Sequence, residues 1–249
     1  MRSRTGASIA SSLDNEPILI VQLVRLAVMR IHAVLARRIL AGATLRLDRL
    51  AALQAACPVQ DPRRELRKSM IVEAKALSGV FRSGVADAKY YFSQEPQSGN
   101  LFALGIVRAV ARPYLLREER LWLEIMSTRI EAFDRPRFTR GTVNAEPAVR
   151  SFDVLVRMML RNLGGLEDRC DLAESRDRLV HAAIGIERRR LGGERLPARL
   201  DDAPVDPLTG RPFAYESDGT RWRIRSEADL SSMEHAWTHD PVLDWSHGE

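Results

Sequence analysis

Cysteine is scarce in this chain, which has only Cys57 and Cys170 among its 249 residues. The two lie far apart in sequence and form no Cys-x-x-Cys pair, which excludes a zinc ribbon and a framework of several disulfides. Isolated cysteines of this kind belong to the most buried residue types in proteins. Since 45% of the residues are hydrophobic, we expect a fold that an apolar core stabilises.

Lysine is rare as well, because only three of the 38 basic residues are lysine and the others are arginine. Arginine forms bidentate pairs with carboxylates, and the chain offers 33 acidic residues for them. The formal net charge of +5 therefore does not by itself indicate a polyanionic partner. The run Arg188-Arg189-Arg190 falls in the last turn of a predicted helix, where cations suit the helix dipole. These features argue against a nucleic-acid partner.

The motifs of common catalytic sites are missing from the sequence. It has no Gly-x-Ser-x-Gly nucleophile turn, and Gly192-Gly193 ends a predicted helix where a phosphate loop would begin one. His181 lies on an apolar helical face beside Val180 and Ile184, which is typical of a histidine in or beside the core. The sequence therefore predicts no catalytic residue, no cofactor and no enzymatic activity.

A long apolar run without charges is missing too. The nearest candidate for a membrane span, Ile18 to Leu35, contains Arg25 and Arg30. Each arginine near the middle of a membrane helix costs about 2.5–3.5 kcal/mol. We therefore predict that this chain has no integral membrane span.

Helical periodicity dominates the chain up to residue 193. Proline follows Glu16 and Asp61, which predicts helix starts at both places, and the residue before proline avoids the helical region, which predicts a break at Arg112-Pro113. In the first helix a stripe at helical spacing predicts the face toward the core, with Arg25 and His32 on a solvated or ion-paired edge. The members of that stripe are Val21, Val24, Val28, Ile31, Leu35 and Ile39.

Alternating charges between Arg117 and Glu124 predict a solvated face on a later helix. The last long helix is predicted from about residue 167 to 190. Together these segments predict a mainly α protein, with a body of about six to seven helices over residues 1–193.

Residues 194–249 have a different pattern, rich in proline and turn residues. Two predicted strands, Pro212 to Glu216 and Arg221 to Ser226, are joined by the Asp218-Gly219 pair that hairpins favour. Val242 to Trp245 is a predicted third strand. The sequence therefore predicts a small C-terminal antiparallel α+β subdomain of two to three strands, packed on the last long helix.

The order of residues in this tail resembles the C-terminal part of the major pseudopilins of type II secretion. The resemblance covers about the last third of the chain. The residues that carry it are Leu196-Pro197, Leu200, Asp206-Pro207, Gly210, Pro212-Phe213, Tyr215, Gly219, Trp222, Ser226 and Asp244-Trp245.

Nearly the whole chain is similar to uncharacterised families of bacterial envelope proteins. These families share the tail and an "EP-x-LI-x-QLVR" segment like the one from Glu16 to Arg25. The resemblance implies a pseudopilin-like tail, an envelope location and no enzymatic activity, whereas the protein is expected in the cytoplasm if Met1 is the true start. The leading hypothesis is therefore a non-catalytic structural or protein-interaction module that has protein partners.

A metal site in the tail is the alternative hypothesis. Two histidines four residues apart share a helix face, as in zinc proteases, and the resemblance implies a calcium loop after the hairpin. The tail lacks the glutamate that would follow the first histidine as a base, and Pro241 disfavours a long helix there. The alternative is a calcium- or zinc-dependent binding protein or hydrolase, whose candidate ligands are His235, His239, Asp240, Asp244, Glu227 and Asp229.

Overall fold

The computed structural model describes residues 18–42, 45–58, 60–83, 101–140, 153–160, 163–231 and 243–247. Within them the protein is mainly helical and ends in a small sheet of three antiparallel strands, as the sequence predicts. The helices are α1 (Leu19–Gly42), α2 (Leu47–Ala56), α3 (Pro62–Ser83), α4 (Leu101–Ala132), α5 (Arg137–Arg140), α6 (Val154–Leu160) and α7 (Leu166–Leu191). The strands are β1 (Ala214–Ser217), β2 (Trp222–Arg225) and β3 (Asp244–His247).

Local chemistry sets the ends of two helices where the sequence predicts them. At the start of α3, Asp61 Oδ1 accepts the backbone N–H of Arg64 at 3.0 Å, and Pro62 occupies the first helical position, where a missing amide costs nothing. Helix α7 is followed by Gly193, whose φ of 78° is in the left-handed region that glycine tolerates. The caps therefore fix where these helices begin and end.

Helix α4 is continuous through Pro113, so the predicted break at that residue is wrong. Proline removes one helical hydrogen bond and crowds the preceding turn, and the packing of the helix after the proline offsets that cost. Trp122 and Met126 of α4 are fully buried, and α4 packs along α3. Tertiary packing therefore outweighs the local preference.

Buried apolar side chains form two clusters that share helices α1 and α7. The first cluster joins α2 and the C-terminal half of α1 to α7 and the sheet, with Leu50, Ile184 and Ile224 at full burial. The second joins α3, α4 and α6 to the N-terminal half of α1 and the start of α7. Because α1 and α7 contribute to both clusters, they connect the helical body to the tail.

The sheet has the order β1-β2-β3, with both pairs antiparallel. The turn between β1 and β2 contains Gly219 at a φ of 97°, as the Asp-Gly pair predicts. Alternation along β2 places Trp222 and Ile224 on the buried face, and Ile224 pairs in register with Trp245 of β3. The sheet thereby packs its apolar face against α7 and α1.

Helix α1 turns a different face to the core than its periodicity predicts. Val24, Ile31, Leu35 and Ile39 of the predicted core stripe are exposed. The buried positions of α1 are instead Leu19, Gln22, Arg25, Leu26, Met29, Ala33, Ala36 and Leu40. The helix is apolar on most of its circumference, so the spacing of its apolar residues does not determine which face packs against the core. The small side chains of Ala33 and Ala36 permit close approach to α7.

Arg25 is buried in this face, so its predicted place on a solvated or ion-paired edge is also wrong. Its Nε and Nη2 atoms donate to Oε1 of Gln60 at 3.2 and 2.9 Å. Its Nη1 atom donates to Oε1 of Gln22 at 3.3 Å. The guanidinium thereby joins α1 to the segment that precedes α3.

Two carboxylates of α4 are buried, although the sequence predicts a solvated face. Glu118 Oε1 accepts the hydroxyl of Tyr114, and its Oε2 accepts the backbone N–H of Val156 at 2.9 Å near the start of α6. Glu119 Oε1 accepts Ser78 Oγ and, at 2.6 Å, Arg82 Nε. These groups are buried because donors on α3 and α6 replace the water that they lose.

Candidate functional site

The predicted metal ligands of the tail are only partly within the described residues. His235, His239 and Asp240 lie outside them. Asp244 is paired with Arg223, which donates through Nε to Oδ1 at 2.9 Å and through Nη2 to Oδ2. These bonds lower the pKa of the Asp244 carboxyl group and occupy both of its oxygen atoms.

The other two predicted ligands lie at the surface. Asp229 is exposed, and its Oδ1 accepts the backbone N–H of Ser231 at 2.9 Å. Glu227 is exposed as well. Across the described residues, no group of three or more His, Cys, Asp or Glu side chains is placed to hold a metal ion. Because His235, His239 and Asp240 lie outside the described residues, the metal hypothesis stays a prediction for all six candidate ligands.

The Asp-Pro turn of the tail centres on the buried carboxylate of Asp206. Its Oδ1 accepts Ser175 Oγ of α7 at 2.9 Å and the backbone N–H of Leu208 at 3.0 Å. Its Oδ2 accepts Ser226 Oγ, just after β2, at 2.5 Å. One side chain thus joins α7, the turn and the sheet, which gives this residue a structural role.

Glu187 makes a second link between α7 and the sheet. Its Oε2 accepts Trp222 Nε1 of β2 at 3.1 Å and Arg190 Nε at 3.0 Å. Its Oε1 accepts Arg190 Nη2 at 2.6 Å. The buried carboxylate therefore accepts three hydrogen bonds and joins the end of α7 to β2.

An ion-pair network joins α3, α5 and α7 around Asp171, which is fully buried. Arg63 Nη2 donates to its Oδ1 at 2.5 Å and Arg140 Nη2 to its Oδ2 at 2.6 Å. Burial raises the pKa of Asp171 to about 6 although both arginines oppose the shift. Arg63 also donates to Glu174 at 2.5 Å. The network fixes the position of the short helix α5.

A small cavity lies between α1, the α2–α3 connection and α7. Its volume is about 30 Å³, which is room for about two water molecules. The polar groups that line it belong to His32, Cys57, Gln60 and Asp177. A cavity of this size does not admit an ordinary small-molecule substrate.

The histidine beside this cavity is held by two backbone carbonyl groups. His181 Nδ1 lies 2.8 Å from the carbonyl oxygen of Asp177, and its Nε2 lies 2.8 Å from that of Cys57. The ring thus contacts one carbonyl group through each nitrogen, and the tautomer determines which nitrogen donates. The Asp177 carboxylate lies 3.8 Å from Nδ1.

The cavity groups do not have the properties of a cysteine–histidine dyad. Burial raises the pKa of the Cys57 thiol, which keeps it protonated, whereas a nucleophilic cysteine needs the thiolate. Burial also lowers the pKa of His32, so this ring is neutral. Asp177 and His181 are therefore best understood as a clasp that holds the α2–α3 connection.

Sequence reasoning identified His181 as a core or boundary histidine but did not find this clasp. The spacing of Asp177 and His181, four residues apart on one helix, is the signal that was available. Their partner is the backbone of Cys57, which is 124 positions away from His181. No side-chain motif encodes a backbone carbonyl, so the sequence did not disclose this contact.

The outer face of α1 carries an exposed apolar stripe, which we call the α1 stripe. Its members are Ile20, Val24, Ala27, Ile31 and Leu35. The four larger side chains are 67%, 51%, 57% and 47% exposed, in that order. At about 100° per residue the stripe covers about 80° of the helix, and it extends for about 22 Å.

Over Leu19–Ala41, helix α1 also has the length and the apolar composition of a membrane span. It is the one helix in the described part of the chain that does. A share of 39% of that window is buried within the protein. Core helices and signal sequences meet the same criteria, so length and composition do not decide the question. One face of α1 packs against α3 and α7.

Comparison with known proteins places this chain in no family, because no family model, no curated protein and no solved structure matches it. The class of protein is therefore defined by the structure itself. It is a mainly helical protein with a small antiparallel sheet, several buried ion pairs and an exposed apolar stripe on its first described helix.

Proposed function

We propose that the protein is a non-catalytic protein-interaction module of the cell envelope, and that the α1 stripe is its contact surface. The observation that carries this proposal is the exposure of four large apolar side chains in one row. Single exposed apolar residues are ordinary, whereas a contiguous exposed row marks a site of interaction.

The buried polar groups described above support a structural role for the rest of the fold. Asp171, Asp206 and Glu187 each accept bonds from two or three donors. Groups bonded in this way hold helices and strands together. The envelope location is supported by the resemblance of the tail to pseudopilins.

Site-specific crosslinking in cells tests this function. A photoreactive amino acid at Ile31 should give discrete crosslinked products with one or a few proteins, recovered with the membrane fraction and identified by mass spectrometry. The matched control is the same amino acid at Leu123, which is 38% exposed on α4. Identical products at the two positions, or none at Ile31, would contradict the proposal.

A further inference from the structure

We propose that the partner presents an amphipathic α-helix whose apolar seam is bordered by Asp and Glu, and that this helix lies along the α1 stripe. The inference rests on the proposed function and adds the chemistry of the partner. Two properties of α1 carry it, the width of the stripe and the sign of its charges.

The stripe has the width of a helix–helix seam. Its residues follow one another at steps of three and four positions, as apolar residues do where one helix packs along another. Its length of about 22 Å corresponds to about four helical turns. A helix that binds a bilayer sinks its apolar face about 5–10 Å into the interface, but α1 is packed against α3 and α7 on its other side, and the stripe covers only about 80° of its circumference.

The charges of α1 are all positive. The helix contains four arginines and no aspartate or glutamate. Of these, Arg38 is exposed and lies within the same arc as the stripe, at its C-terminal end. A partner with carboxylates beside its seam is complementary to this surface, since opposite charges across an interface steer association and fix its register.

A second copy of this chain fits the surface less well. Pairing two α1 helices in parallel brings Arg38 of one copy beside Arg38 of the other. Parallel pairing therefore juxtaposes like charges, which favours a different, acidic partner. An antiparallel dimer remains an outcome that the experiments below distinguish.

Binding of synthetic helical peptides to the full chain tests the inference. Two peptides of five turns share a leucine seam, and one has glutamate at the flanking positions where the other has lysine. By fluorescence anisotropy, the glutamate peptide should bind about tenfold or more tightly than the lysine peptide. Its affinity should fall as salt is added, because exposed charges are screened.

Variants of the full chain locate the binding surface. Ile31→Gln should weaken binding of the glutamate peptide by about tenfold, since a buried apolar contact is lost. Arg38→Glu should reverse the preference, so that the lysine peptide binds more tightly. Leu123→Gln and Arg120→Glu are matched controls on exposed positions of α4 and should leave both affinities unchanged. Circular dichroism confirms that each variant is folded, and Val24→Gln serves as a second stripe variant.

Each alternative has a distinct result. Equal binding of the two peptides, or binding of neither, overturns the acidic-helix inference. Two other results also overturn it. One is sedimentation of the protein with vesicles of phosphatidylglycerol and phosphatidylethanolamine, if Ile31→Gln abolishes that sedimentation. The other is a concentration-dependent dimer, if Ile31→Gln dissociates it. In all these cases crosslinking at Ile31 still decides the proposed function independently, because it detects a partner of any chemistry.

Discussion

Asp171 and Asp177 are two carboxyl groups of α7 that burial has made weaker acids. The pKa of each is raised to about 6, and loss of hydration is the largest cause for both. Asp171 lies between two arginines, whereas Asp177 faces His181, Glu174, Arg178 and the backbone N–H of Gln60. Both groups tie distant segments to one helix, so their titration is coupled to the stability of the fold.

Asp177 should make stability depend on pH. Its folded-state pKa of about 6 is above the unfolded value, so the folded protein binds the proton more tightly. The stabilisation is complete at acidic pH and is lost as the pH rises through about 6, by about 1 kcal/mol between pH 5 and pH 8. Urea unfolding at these two pH values should show that Asp177→Asn removes this part of the dependence.

The exposed Asp201 provides the control for that measurement. Asp201→Asn should keep the full difference in unfolding free energy between pH 5 and pH 8. Asp171 is present in the parent protein and in both variants, so the comparison reports the effect of Asp177 together with the charged groups that face it. An unchanged pH dependence in Asp177→Asn would show that this carboxyl group is not the source.

The Asp-Pro turn shows at the scale of an element why glycine is required at one position. Gly210 has a φ of +72°, and a Cβ atom there would lie 2.6 Å from Cδ2 of Phe138. Gly193 has a similar φ of +78° but open space around its Cβ position. The two glycines share the cost of a left-handed backbone and differ in steric contact.

Alanine substitutions at these glycines should therefore destabilise the protein to different extents. Gly193→Ala should cost about 1–2 kcal/mol, the backbone penalty alone. Gly210→Ala should cost more, because the ring of Phe138 must also move, and adding Phe138→Ala should reduce the excess. Thermal and urea unfolding measure these free energies. If Gly210→Ala lowers the free energy of unfolding no more than Gly193→Ala does, the contact with Phe138 does not contribute to the loss of stability.

Helix ends were predictable from the sequence because their causes are local. Asp61 with Pro62, and Gly193 after α7, act through their own backbone, and the Asp218-Gly219 hairpin does the same. The face of α1 and the continuity of α4 through Pro113 were not predictable, since both depend on which helices pack alongside. The clasp at His181 was hidden for the same reason, because its acceptor at Cys57 is distant in sequence.

At the scale of the whole molecule, α1 serves both the interior and the surface. Its buried face contributes to both hydrophobic clusters, and its outer face carries the exposed stripe. A contact made along the stripe therefore acts on the helix that connects the body to the sheet. The sheet itself is held to α7 by Asp206, Glu187 and the buried side chains of β2.

Because one cluster spans α7 and the sheet, the two should unfold together. Ile224→Ala removes a fully buried side chain of β2 and should cost about 2–5 kcal/mol. Hydrogen exchange should then show an equal loss of protection in residues 166–191 and 214–225. The control is Val205→Ala, at an exposed position of the tail, which should change the protection free energy of neither segment by more than about 0.5 kcal/mol. Loss confined to residues 214–225 would show instead that the sheet opens as a separate unit.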